Sequence, residues 1–293
     1  MAPARYNRVI ASTVPRPVTI PEITVDQLIA RYAVLLLDAY GVLVDSGGPL
    51  PGAAGFIARL NETATPYYIV SNDASRLPET AARRYRGFGL ALDAERFLTS
   101  GMLLTDWFAR EDLRGAPCVV LGPPDSTTYV ERAGGRAVSP DEPFEAVVIC
   151  DESGFPFLDV VDAVLSALVR ALDAGRRLRL VCANPDLVYP RPGGFGIASG
   201  SIALVLEAAL DLRYPGHAPR FQRLGKPFPG LFDAALARSG TRDMVMVGDQ
   251  LETDIQGARR FGLDAVLVST GVSDGLGTLP PALHPTWRLR SFA

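Results

Sequence analysis

One alternation runs through most of this chain: a short apolar stretch rich in β-branched residues, then a helical period, then another apolar stretch. The runs Val34–Leu37, Tyr67–Val70, Cys118–Leu121, Ala146–Cys150, Arg179–Cys182, Met244–Val247 and Ala265–Val268 predict strands. Between them, Gly52–Leu60, Pro78–Phe88, Met102–Ala109, Leu158–Ala174, Ser201–Leu210, Leu231–Arg238 and Thr253–Phe261 carry helical patterns. A run that is apolar throughout suits a strand buried on both faces, and strand–helix alternation predicts parallel sheets covered by helices. The expected class is α/β, with a doubly wound parallel-sheet core.

In such sheets ligands bind outside the carboxyl ends of the strands, so the residues just after each run matter most. Asp38 follows "VLLL", and Ser71 and Asn72 follow "YYIV". Asp249 follows "MVMVG", with Asp254 five residues on, and Lys226 stands in the turn "RLGKPFPG" ahead of Leu231–Arg238. Three acids, a hydroxyl and a lysine thus fall on one expected rim. Lys226 is the single lysine of a chain in which the other 28 of 29 basic residues are arginine. A compact ammonium is not interchangeable with a planar guanidinium fork, so a site needing a point cation beside a small anion would retain it.

These residue types can do phosphoryl chemistry. Carboxylates at Asp38 and Asp249 could share a hard cation such as Mg²⁺. A carboxylate can also be a nucleophile and form an acyl-phosphate. Ser71, neighbouring backbone amides and Lys226 could hold phosphoryl oxygens and neutralise their charge. Each position has a plainer role open to it when taken alone. Asp38 could close a turn, Ser71 to Asp73 could cap a helix, and Asp254 could be an acid in a first helical turn. Their order and setting together point to chemistry.

Composition removes several alternatives. Net charge is −3 and the basic residues form no dense block, against a nucleic-acid-binding face. No apolar stretch approaches the roughly 20 residues of a membrane helix, and the first residues have no sustained hydrophobic core of a signal peptide. Cys118, Cys150 and Cys182 lie in or beside apolar runs without a CxxC pair, so reduced buried thiols and a cytoplasmic location are expected. Only His217 and His284 are present, which disfavours histidine-based phosphatase chemistry.

"LLLDAYGVLVDSG", "YIVSNDASR", "LGKPFPGLF" and "VMVGDQLETDIQGARRFGLDAVLVSTG" resemble, in order, the four motifs of the haloacid dehalogenase superfamily. The segment between the second and third contains "CANPDLVYP" and "GGFGIASG", and is similar to the large α/β cap of the class IIA, p-nitrophenyl phosphatase-like members. The resemblance implies a Rossmann-like core from residues 1–102 and 220–293 with an inserted cap at 103–219. It implies a Mg²⁺-dependent phosphatase of a small phosphorylated metabolite, working through an aspartyl-phosphate; a homodimer through the cap is one open arrangement, and the sequence does not name the oligomeric state. Asp38 would be nucleophile and Mg²⁺ ligand, Tyr40 would offer its backbone carbonyl, and Asp249 and Asp254 would complete or support the metal shell. Ser71 and Asn72 would bind the phosphoryl group, with Lys226 balancing its charge. In the cap, Asn184, Asp186 and Arg191 are candidates to face the substrate.

Tyr40 departs from the family's commoner Asp–x–Asp, whose second acid protonates the leaving group and then activates water. General acid–base help of that kind is worth roughly 10²–10⁴-fold, and a phenol is a far weaker acid than a carboxyl group. The departure leaves two other expectations open beside the phosphatase. One is cleavage of a carbon–phosphorus or carbon–halogen bond by the same nucleophile; the other is a catalytically weak protein that binds a phosphorylated metabolite.

Overall fold

The computed structural model describes residues 20–191, 193–269 and 279–293, and shows two parallel sheets with helices packed against both. The larger has six strands in the order Trp287–Leu289, Asp264–Val268, Met244–Gly248, Val34–Leu37, Tyr67–Ser71 and Phe97–Thr99. All its pairings are parallel. Val34–Leu37 shows why the run has to be apolar throughout. Leu35 and Leu37 pack into one core with the helices Val25–Arg31, Ala53–Glu62 and Pro78–Gly87, while Val34 and Leu36 pack into another with Gly230–Ser239 and Gln256–Phe261. Successive side chains point to opposite faces, and both faces are covered.

The second sheet has five strands, Gln222–Arg223, Arg179–Cys182, Ala146–Ile149, Pro117–Leu121 and Arg136–Ala137, again all parallel. The helices Leu104–Arg110 and Pro124–Arg132 cover one face; Phe157–Asp173 and Ser199–Arg213 cover the other. Its edge strand Gln222–Arg223 lies just beyond the 103–219 segment expected to carry the cap. An antiparallel hairpin, Val188–Arg191 with Gly194–Ile197, projects ahead of Ser199–Arg213. The three cysteines are buried free thiols. Among the described residues, no helix is long and apolar enough to cross a membrane.

The strand order places the site. From Val34–Leu37 the chain moves to Tyr67–Ser71 on one side, and returns much later as Met244–Gly248 on the other. That reversal opens a crevice at the carboxyl ends of the central strands. Leu37 is in register with Val247 and with Ile69, so Asp38, Asp249 and Ser71 leave the sheet at the same rim.

Candidate active site

Asp38 is delivered by its strand: its amide donates to the Val247 carbonyl at 2.9 Å, extending the ladder one step before the chain turns. Gly41 follows at φ +85°, and a Cβ there would lie 2.3 Å from Asp249 Oδ2, so only glycine lets the turn pass over that carboxylate. Asp249 and Asp254 are fully buried. A π-helical turn, Leu251–Ile255, begins the helix earlier than the expected Thr253 and brings Asp254 back over the strand end. There its Oδ2 accepts from the amides of Asp249 and Gln250 at 3.2 and 3.1 Å. Carboxylate oxygens of Asp38, Asp249 and Asp254 lie within 4.8 Å of one another.

Lys226 is 2% exposed and its ammonium spends all three donors. They go to Asp38 Oδ1 at 2.8 Å, Asp254 Oδ1 at 2.7 Å and the Val70 carbonyl at 2.8 Å. Burial alone would favour the neutral amine, but Asp254 and Asp38 outweigh it and hold the lysine charged, with its pKa raised. Burial pushes the Asp38 carboxyl up to about 7, with Lys226 acting against the shift and Asp254 adding to it. Three buried carboxyl groups share one ammonium, which contacts two of them. Hard oxygen donors that close together suit a small divalent cation such as Mg²⁺. Asp254 is already committed to Lys226 and two amides, so it suits orienting the cluster, while Asp38 and Asp249 suit direct ligation.

A cleft of about 180 Å³ opens beside these groups. Asp38, Tyr40, Ser71, Asn72 and Lys226 line it from the larger sheet, and Asn184 and Asp186 from across the gap. The Ser71 hydroxyl accepts from the Asp73 amide at 3.2 Å. The Asn72 side chain faces the protein: its Nδ2 donates to Asp186 Oδ1 at 2.8 Å and to the Lys226 carbonyl at 3.0 Å, and its Oδ1 accepts from the Lys226 amide at 2.7 Å. Burial raises the Asp186 carboxyl to about 6. Arg191 is brought to the exposed hairpin and does not line the cleft. Asp45 accepts from the amide of Gly47 in its own turn at 2.7 Å and is likewise absent from the lining.

Sequence reasoning missed Asp151, Glu152, Arg76 and Arg84, which also line the cleft. Burial raises the carboxyls of Asp151 and Glu152, the latter to about 7. Both follow the strand Ala146–Ile149, so the strand-end rule applied to the second sheet would have found them. Arg76 and Arg84, on the loop and helix after Tyr67–Ser71, carried no such signal.

Comparison with known proteins identifies the family of the fold. The family model for haloacid dehalogenase-like hydrolases matches residues 35–136, and a HAD-hydrolase-like model matches 223–293. A dihydroxyacetone phosphatase of Corynebacterium glutamicum is 30% identical over 260 residues, covering 88% of each chain. Among solved structures, a possible sugar phosphatase of Cytophaga hutchinsonii superposes with a TM-score of 0.81 at 30% identity, over 94% of this chain and 99% of that one. A glycerol phosphate phosphatase of Mycobacterium tuberculosis in complex with magnesium superposes with a TM-score of 0.75 at 27% identity, over 90% of this chain and 77% of that one. With Asp38, Lys226 and the acid cluster converging at the switch point of its sheet, the chain belongs to the haloacid dehalogenase-like hydrolases, within the phosphatase branch of that family.

Proposed function

We propose that this protein is a Mg²⁺-dependent phosphatase of a small phosphomonoester, acting through a phosphorylated Asp38. The observation that carries the reading is the convergence of Asp38, Asp249 and Asp254 within 4.8 Å of one another, with a buried Lys226 held by Asp38 and Asp254. Asp38 and Asp249, with the backbone carbonyl of Tyr40, would hold the ion, and Asp254 would orient them. An ion held there would supply charge to offset that of the phosphoryl oxygens.

The protein's own groups account for the rest. A carboxylate oxygen of Asp38 forms a bond to phosphorus while the ester oxygen departs, and water then attacks phosphorus and releases Asp38 with inorganic phosphate. Lys226 offsets the charge of the phosphoryl oxygens from beside Asp38, and the Ser71 hydroxyl donates to one of them, stabilising charge where it builds. A retained lysine and hydroxyl favour phosphate over halide. The modest size of the cleft, about 180 Å³ and faced from across the gap by Asn184 and Asp186, supports a small substrate.

The test is a screen of phosphorylated metabolites with Mg²⁺ and with a chelator, on wild type and Asp38→Asn. Release of phosphate only by wild type with Mg²⁺ is the expected result. Equal activity in Asp38→Asn would remove Asp38 from the nucleophile's role.

A further inference from the structure

Four direct hydrogen-bonding steps link the second-sheet side of the molecule to the nucleophile. Asp186 is anchored there: its carbonyl accepts from Gly200 at the start of Ser199–Arg213 at 2.9 Å, and its amide donates to Asn184 Oδ1 at 3.0 Å. Its carboxylate accepts from Asn72, the Asn72 amide grips the Lys226 backbone at both N–H and C=O, and the Lys226 ammonium meets Asp38. Both Asn72 donors are consumed by protein acceptors, and the side chain is 4% exposed. Packing adds a second constraint. A Cβ on Gly225 would lie 2.4 Å from Asn72 Oδ1 and 2.8 Å from Pro185 Cδ, and one on Gly200 would lie 2.3 Å from the Pro185 carbonyl oxygen. The Asn184–Asp186 turn, Asn72 and the Gly225–Lys226 turn are therefore seated on one another with no room for a single methyl group.

We propose that Asp186 is a positioning residue for the hydrolytic site: through Asn72 it fixes the Lys226 backbone, so the ammonium meets Asp38 correctly only while the Asn184–Asp186 turn is seated on the core. This rests on the phosphatase reading and adds to it a role for Asp186 that needs no contact with substrate. The carboxylate has only to accept a hydrogen bond, so an amide oxygen can replace it.

The experiment compares wild type, Asp186→Ala and Asp186→Asn, alone and in an Asn72→Ala background. It measures binding of inorganic phosphate with Mg²⁺ by calorimetry, and kcat/KM on p-nitrophenyl phosphate and glycerol phosphate. Asp186→Ala should weaken phosphate binding and lower kcat/KM on both esters by one common factor, about tenfold to a hundredfold, as for a lost hydrogen bond to a charged group. Asp186→Asn should keep wild-type values, and Asp186→Ala should add nothing once Asn72 is gone. Unequal losses on the two esters with phosphate binding intact would make Asp186 a leaving-group contact and overturn the proposal. So would an Asp186→Asn defect as large as that of alanine, or independent effects in the cycle. If the alanine variant lacks a cooperative thermal transition, Asp186→Glu, which displaces the acceptor, takes its place under the same criteria. A wild type that hydrolyses neither ester defeats the phosphatase reading, while phosphate binding still decides this one.

Discussion

At the scale of single residues, Lys226 fits the proposed chemistry closely and Tyr40 departs from it. Lys226 fits its three acceptors at 2.7 to 2.8 Å because an ammonium is compact and tetrahedral. A planar guanidinium cannot meet the same three points in a pocket that leaves 2% of the side chain exposed. Lys226→Arg should lower kcat/KM by about a hundredfold or more, on the scale of losing a preorganised transition-state contact. Steady-state kinetics with a thermal melt checks this, and unchanged kinetics in a folded variant would refute it. Tyr40 lines the cleft where the family's commoner pattern has an acid, and Asp45 is held in its own turn rather than standing in for it. Slow turnover should follow, steepest for poor leaving groups, with phosphorylated Asp38 accumulating. Tyr40→Asp should raise turnover on alkyl phosphates, by up to roughly 10²–10⁴-fold. Rapid-quench kinetics on aryl and alkyl esters decides it: a wild type already fast on alkyl esters, slowed by the substitution, would assign the proton to another group.

At the scale of elements, the short strand Gln222–Arg223 leads the chain back toward Lys226, and one carboxylate ties it down. Glu207, on the helix Ser199–Arg213, is 5% exposed and accepts from the Phe221 amide at 2.7 Å and from both Arg223 terminal nitrogens at 2.9 Å. Burial would raise its pKa, but the Arg223 and Phe221 bonds outweigh that and hold it below the usual glutamate range. A depressed folded-state pKa gives stability that is present above the unfolded value, near pH 4, and is lost as pH falls through the folded value. Glu207→Ala should therefore cost about 3 kcal/mol near neutral pH, the lower end for breaking a buried pair since Arg223 keeps partial solvent access. The difference between variant and wild type should narrow below about pH 4 as the wild type protonates. Urea unfolding at several pH values measures it; a pH-independent difference would exclude the linkage.

At the scale of the whole molecule, residues from both sheets' sides line the cleft beside the acid cluster, so a ligand and metal bound there as proposed would contact both halves. A ligand that binds only the native state stabilises by RT ln(1 + [L]/Kd), about 2.7 kcal/mol at a hundredfold excess over Kd. Mg²⁺ with inorganic phosphate should raise the thermal midpoint by about 5 °C or more in a chain of this size, with a chelator reversing the shift. Asp249→Ala should abolish the response. Identical midpoints with Mg²⁺ and with chelator in wild type would count against a metal at these carboxylates.

What the sequence determined by itself was the fold class and the rim. The strand Val34–Leu37 has the same limits in structure and in pattern, because a strand buried on both faces must be apolar throughout. The helix Pro124–Arg132 was not legible: only Tyr129 and Val130 break its polar run, too few for a period. Phe97–Thr99 and Trp287–Leu289, three residues each, were too short to read as strands. Asp38 and Asp249 were legible because strand-end position is a local property, and Asp254 and Lys226 by their spacing from such ends and the turn around them. Asn72 was legible as a rim residue, but its work was not. Its partners lie 114 and 154 residues away, and a terminal amide pairs with whatever acceptor the packing brings to it. Only the tertiary structure decided that, as it decided that Arg191 stands off the cleft while Asp151 and Glu152 face into it. Local patterns carry burial and chain direction; which polar groups meet across the gap is set by how the two sheets pack.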